Sequence, residues 1–210
     1  MGLCVIANAG TSFLVAFFKN LGITLTQGDV AKPNSIFECI LDIIGIAIVP
    51  AICEEFAMRC CALGLLKNYG KAFGVVSVSV VFGLLHGNVI QFIFAFLVGL
   101  VLAYITIKTE SIIPAMCIHA LNNGMSAVSD TVNYAAGKEV NITVGFFAFW
   151  LLVGIIATIY LAIKRKLTIP KDDGNCVLTL GEKVSSFFFP GMILPFIVLI
   201  IMTAQTVKIG

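Results

Sequence analysis

The chain has 210 residues, of which 60% are hydrophobic and 11% are charged, and its mean hydropathy is +1.07. Soluble domains are about 45–50% apolar and about 25% charged, so the composition excludes an ordinary soluble domain and indicates a polytopic, all-α membrane protein. The formal net charge of +2 is too small to indicate a nucleic-acid-binding protein. Seven cysteines without a CxxC pair indicate neither a disulfide framework nor a thiolate zinc site.

Apolar segments predict a bundle of about seven transmembrane helices. In chain order the segments are Leu3–Phe18, Ile36–Leu66, Ala72–His86, Val89–Ile107, Ile112–Val128, Val144–Ile163 and Phe187–Val207. The second segment is too long for one perpendicular crossing, since about 31 residues extend about 46 Å as a helix. Pro50 inside that segment predicts a kink. A polar stretch from Leu167 to Ser186 predicts a loop before the last helix.

Basic residues predict the orientation in the membrane. If the helices cross alternately, one side holds Lys67, Lys71, Lys108, Lys164, Arg165, Lys166, Lys171 and Lys183, and the other holds Lys19, Lys32, Lys138 and Lys208. The richer side is cytoplasmic under the positive-inside rule. We therefore expect a multi-pass cell-membrane protein with a cytoplasmic N-terminus and an external C-terminus.

Ionisable side chains recur inside the central apolar segments, although a charge at the bilayer centre costs at least about 2.5 kcal/mol. The second segment contains Glu54, Glu55 and Arg59, the third ends at His86, and the fifth contains His119. Counted along each helix from its charged end, Glu54, His86 and His119 lie about 20, 22 and 13 Å deep. These depths fall in the middle of a hydrocarbon layer about 30 Å thick, so we expect one membrane-embedded cavity.

The two adjacent glutamates are expected to have different roles. Their side chains point about 100° apart around a helix, so they cannot face one group equally. Glu55 and Arg59 form an i, i+4 pair with the glutamate on the N-terminal side, which is the favourable order. Pairing with Arg59 therefore leaves Glu54 to face the cavity.

Each histidine also belongs to an i, i+4 pair, Phe82 with His86 and His119 with Asn123. In the second pair the ring and the amide share one helix face and can both donate to one oxygen. A carboxylate with one histidine, opposite such a donor pair, has the parts needed for hydrolysis. One half activates water as a general base, and the other stabilises a tetrahedral oxyanion.

The order of these residues resembles the three motifs of a known family of intramembrane proteases. Glu54-Glu55-x-x-x-Arg59, Phe82-x-x-x-His86 and His119-x-x-x-Asn123 match the motifs of the CAAX-protease and bacteriocin-processing family (CPBP, also called Abi). The family includes the type II CAAX prenyl endopeptidases. The resemblance divides the chain into a first span with its external loop (1–35), a catalytic core (36–130) and two C-terminal spans with a cytoplasmic loop (131–210).

The resemblance implies a role for each motif residue. It implies that Glu54 and His86 activate water, that His119 and Asn123 form the oxyanion hole, and that Glu55, Arg59 and Phe82 support them. The substrate it implies is either a peptide precursor of the bacteriocin type or a CAAX-like lipidated protein. By resemblance only, the short length and the lack of a large soluble domain favour peptide processing.

The sequence leaves alternatives open for the metal and for the class of function. Zinc commonly takes three protein ligands and a water, which Glu54, His86 and His119 can supply. No HExxH helix is present, however, and Asn123 is a poorer zinc ligand than oxyanion donor, so we expect no metal cofactor. The alternative functions are a proton-coupled transporter that uses the buried Glu/His set, and a non-catalytic membrane immunity or scaffold protein.

Overall fold

The structure is a computed structural model that describes residues 1–25, 32–138, 142–164, 168, 178–188 and 190–209. These residues form the helices α1 (Gly2–Asn20), α2 (Ile36–Tyr69), α3 (Lys71–Leu84), α4 (Val89–Thr109), α5 (Ile113–Ala136), α6 (Ile142–Ile163), α7 (Leu180–Ser185) and α8 (Pro190–Thr206). Two short strands, β1 (Ile23–Leu25) and β2 (Val207–Ile209), pair antiparallel. The predicted all-α membrane fold is confirmed. Half of the predicted loop at 167–186 lies outside the described residues, and its described part contains the short helix α7, which the sequence did not predict.

The number of membrane spans differs from the sequence prediction. Among the described helices, α1, α2, α4 and α6 are long and apolar enough to cross a membrane, and the bent pair of α7 and α8 makes a fifth candidate. Seven spans are not confirmed, because α3 has 14 residues and so extends only about 21 Å. Helix α5 has 24 residues but carries many polar side chains. A multi-pass membrane protein is confirmed, whereas the orientation of the termini stays a prediction.

Helix α4 lies at the centre of the bundle. On one side, Leu63 of α2 and Val78 of α3 form a buried cluster with Ala103 of α4. On the other side, a second buried cluster joins α4 to α1 and α5, and its members are Cys4, Ala7, Val98, Leu102 and Ala115. The three helices that carry the motifs, α2, α3 and α5, are therefore held around one common helix. Helix α6 has no buried residue between Val144 and Ile163, as expected for a span at the lipid-facing edge of a bundle.

Helix α2 positions the first motif and is not a regular α-helix throughout. Two π-helical stretches, Ile43–Ile48 and Phe56–Ala62, flank an α-helical segment, Val49–Glu55. Pro50 lies at the start of that segment and cannot donate a backbone hydrogen bond. The irregularity predicted at this proline therefore takes the form of neighbouring π-helical turns, which are rare and frequently occur at functional sites.

Candidate active site

Glu55 and Arg59 form an ion pair in the interior of the bundle. Glu55 is 0% exposed and Arg59 is 2% exposed. Nη1 of Arg59 lies 3.1 Å from Oε1 of Glu55, and Nη2 lies 3.5 Å from the carbonyl oxygen of Gly99 in α4. The guanidinium carbon also lies 4.5 Å from the centroid of the Phe82 ring, which is a cation–π contact. The expected i, i+4 pair is present, and it leaves neither charge exposed to solvent or lipid.

The same carboxylate binds a histidine from another helix. Oε1 of Glu55 lies 2.8 Å from Nδ1 of His119, which is also buried. An ionised carboxylate can only accept a hydrogen bond, so Nδ1 of His119 carries a proton. One oxygen of Glu55 thus joins the first motif, through Arg59, to the third.

The other ring nitrogen of His119 faces two more predicted site residues. Nε2 lies 3.0 Å from Nδ2 of Asn123 and 3.8 Å from Oε2 of Glu54. The same amide nitrogen donates to the carbonyl of Ile46 at 3.3 Å. When His119 is neutral its only proton is on Nδ1, so Nε2 accepts from Asn123 and both amide hydrogens are engaged. The adjacent glutamates therefore approach opposite nitrogens of one imidazole ring.

Glu54 opens into a cavity that it shares with the second histidine. The cavity has a volume of about 270 Å³ and is lined by Cys53, Glu54, Ala57, Met58, Phe82, Leu85 and His86. The Glu54 side chain is 40% exposed. Nδ1 of His86 donates to the Phe82 carbonyl at 2.8 Å, which leaves Nε2 of this ring as an acceptor in its neutral form. An accessible carboxylate and an imidazole acceptor are thus placed between apolar walls.

Phe82 is in contact with residues of all three motifs. Its ring is 3% exposed, and its centroid lies 5.1 Å from that of His86 and 5.8 Å from that of His119, both edge-on. Arg59 lies over its face. Edge-to-face packing of rings is favourable, so Phe82 holds both imidazoles in place from one position.

All the predicted site residues come together at this place: Glu54, Glu55, Arg59, Phe82, His86, His119 and Asn123. Sequence reasoning missed the main-chain carbonyls of Ile46 and Gly99, because every residue has a carbonyl and no residue type marks one. The signal that was available was Pro50, four residues after Ile46, which removes the usual α-helical donor to that carbonyl.

The side chains proposed as zinc ligands do not fit a metal centre as arranged. Among the described residues, no three His, Cys, Asp or Glu side chains converge on a point that could hold an ion. Both ring nitrogens of His119 are engaged, by Glu55 and Asn123, and Nδ1 of His86 is bonded to the Phe82 carbonyl. The expectation that the protein needs no metal stays a prediction.

A larger cavity of about 740 Å³ lies where α2 meets α3 and α4 meets α5. Its lining includes Lys67, Lys71 and Glu110, and among the predicted site residues only Arg59. Neither imidazole nor Glu54 lines it, so it is distinct from the smaller cavity that Glu54 and His86 share.

Comparison with known proteins gives one family. Residues 36–125 match the model of the family described as "Type II CAAX prenyl endopeptidase Rce1-like". The matched region begins at the first residue of α2 and ends inside α5, so it contains all three motifs. No curated protein and no solved structure matches the chain. The segment that builds the site, residues 36–125, is thus similar to the Rce1-like family of type II CAAX prenyl endopeptidases.

Proposed function

We propose that this protein is an intramembrane endopeptidase in which Glu54 activates the water that hydrolyses a peptide bond. The observation that carries the proposal is the division between the two glutamates. Glu55 is buried and bound to Arg59 and His119, whereas Glu54 is 40% exposed in a cavity with His86. The family match over residues 36–125 supports a protease.

The chemistry of water activation follows from the groups in the cavity. Glu54 is the one carboxylate among the described residues that line it, and Nε2 of His86 accepts hydrogen bonds in the neutral form. A water between them gives a proton to Glu54 while its oxygen bonds to the carbonyl carbon of the substrate. Glu54 then returns that proton to the amine nitrogen as the carbon–nitrogen bond breaks. His86 orients the water during attack.

An oxyanion must be bound by hydrogen-bond donors, and few are available while His119 is neutral. Nε2 of His119 is an acceptor there, and both hydrogens of the Asn123 amide are engaged. Protonation of Nε2 makes it a donor and releases one amide hydrogen, so both groups can then bind the oxyanion. We therefore propose that the protonated form of His119 acts with Asn123, while Glu55 on one side and Glu54 on the other face the imidazolium.

The substrate class we propose is a prenylated protein with a CAAX-type C-terminus, as the description of the matching family suggests. At about 270 Å³, the cavity is smaller than the range of about 300–1,000 Å³ that holds drug-sized ligands. It therefore suits the scissile bond and an adjacent apolar side chain, with the rest of the substrate outside. Processing of a bacteriocin-type peptide, which the sequence favoured, stays a prediction without support from the comparisons.

Replacing Glu54 with Gln tests the general base. With purified protein and an internally quenched peptide that ends in a farnesylated CAAX box, we expect kcat to fall about 10²–10⁴-fold. The melting temperature should stay unchanged, since Glu54 is partly exposed and makes no short hydrogen bond. Glu38→Gln on the same helix is the control and should keep full activity. Wild-type cleavage by the Glu54→Gln variant would refute Glu54 as the base, whereas a wild-type protein that does not cleave the peptide would leave the scaffold or transporter function.

Replacing Glu55 with Gln should instead reduce stability. The substitution leaves the Arg59 charge buried without a counter-ion, which costs about 3–5 kcal/mol in comparable sites. Thermal unfolding in detergent should therefore show a much lower melting temperature than for Glu54→Gln. The double variant Glu55→Gln/Arg59→Met should recover part of the loss, because no unpaired charge remains. A Glu55→Gln variant as stable as the wild type would contradict the buried ion pair.

Replacing His119 with Gln tests its role at the oxyanion. Glutamine keeps an N–H donor but loses the ring that bonds to Glu55 and lies beside Glu54. We therefore expect kcat for the farnesylated peptide to fall about 10²-fold or more. A wild-type kcat in this variant would contradict the assignment of His119 to the oxyanion hole.

Chelation tests the proposal that catalysis needs no metal. We expect cleavage of the farnesylated peptide to continue at the same rate after prolonged dialysis against a strong chelator. The reason is that the nitrogens of His119 are committed to Glu55 and Asn123. Loss of activity that returns on addition of zinc would instead support ligation by Glu54, His86 and His119.

A further inference from the structure

The amide of Asn123 is held at both ends by hydrogen bonds. Nδ2 donates to the carbonyl of Ile46 at 3.3 Å, and Oδ1 accepts from Nδ2 of Asn122 at 3.4 Å. These bonds fix which end of the carboxamide faces His119, where Nδ2 lies 3.0 Å from Nε2. The carbonyl of Ile46, a main-chain group of α2, is therefore part of what orients this amide.

The local sequence explains why this carbonyl is available. In an α-helix the carbonyl of Ile46 would accept from the N–H of residue 50, but residue 50 is proline and has no N–H. The chain from Ile43 to Ile48 is π-helical, and the Val49 N–H bonds to the carbonyl of Ile44, five residues back. The usual donor to Ile46 is thus missing because of Pro50.

Close packing of α5 brings the amide to this carbonyl. Ala47, next to Ile46, is 3% exposed, and a Cβ built on Gly124 would lie 3.4 Å from the Cβ of Ala47. The small residues let the two helices approach at the level of Asn123. The contact therefore belongs to the interface between α2 and α5, where Asn123 is half-buried.

We propose that Pro50 is a positioning residue of the active site. By leaving the Ile46 carbonyl without its α-helical donor, it supplies the acceptor that orients the Asn123 amide against His119. The inference rests on the proposed function, since the orientation of Asn123 affects the rate only if this amide and His119 stabilise the oxyanion.

Replacing Pro50 with Ala tests the proposal, because it returns an N–H that can donate to Ile46 and compete with Asn123. We expect kcat for the farnesylated CAAX peptide to fall about 3- to 10-fold, the effect of one neutral hydrogen bond. KM should not change, because the amide acts on the transition state. The melting temperature should stay equal or rise, since alanine is the best helix former and proline the worst. A purely structural proline would not lower activity while raising stability.

Two controls separate the effect of restoring an N–H at position 50 from the effect of removing the proline ring. Pro195 also lies inside a helix, α8, and Pro195→Ala should leave kcat unchanged. Incorporation of lactic acid at position 50 replaces the amide by an ester, which removes the proline ring without adding an N–H. This variant should keep the wild-type kcat. If it loses as much activity as Pro50→Ala, the ring and not the missing donor is responsible, and the proposal is overturned.

Parallel measurement of the wild type and Glu54→Gln separates failure of the Pro50 role from failure of the peptidase. If the wild type cleaves, Glu54→Gln is inactive and Pro50→Ala has the wild-type kcat, the role of Pro50 is refuted and the peptidase stands. If the wild-type protein does not cleave the peptide, the peptidase itself fails, and the positioning role fails with it. A lower kcat for Pro50→Ala, with Pro195→Ala and the ester variant unchanged, supports both the peptidase and the positioning role.

Discussion

Much of the site depends on a single oxygen atom, Oε1 of Glu55. It lies 2.8 Å from Nδ1 of His119 and 3.1 Å from Nη1 of Arg59, and all three side chains are buried. An unpaired charge in such a place costs several kcal/mol, so the carboxylate and the guanidinium each require the other. The same contact decides where His119 keeps its proton. Charge compensation in the core therefore determines the tautomer of a ring whose other nitrogen lies beside Glu54 and Asn123.

The pairing of Glu55 with Arg59 and His119 explains why the chain carries a second glutamate next to it. A carboxylate that neutralises Arg59 and holds His119 is neither accessible nor free to take a proton from water. Its neighbour in sequence is turned by about 100° on the helix, so Glu54 reaches the cavity while Glu55 stays in the core. Phe82 completes the arrangement, since its face lies against Arg59 and its ring packs against both imidazoles. One turn of the helix thus holds two carboxylates, Glu55 paired in the core and Glu54 open to the cavity.

Composition and spacing predicted the membrane bundle and the motif pairs, because apolar segments and i, i+4 neighbours are local properties. The number of spans was less predictable, since the length of α3 and the polarity of α5 depend on where helices end and what they pack against. Sequence spacing also assigned Glu54 to His86 and His119 to Asn123 as separate halves. The structure places Oε2 of Glu54 3.8 Å from Nε2 of His119 as well. Contacts between residues 64 positions apart, such as that of Glu55 with His119, have no local signal.

The link between Ile46 and Asn123 connects the stability of the span to its chemistry. A backbone carbonyl without a partner costs several kcal/mol in a lipid environment, so a proline inside a span is tolerated where a neighbouring group replaces the lost donor. Here that group is the amide of Asn123, which also contacts His119. The polar side chain that compensates the irregular helix is thereby fixed beside His119. The irregularity in α2 and the amide on α5 therefore stabilise each other across the contact between the two helices.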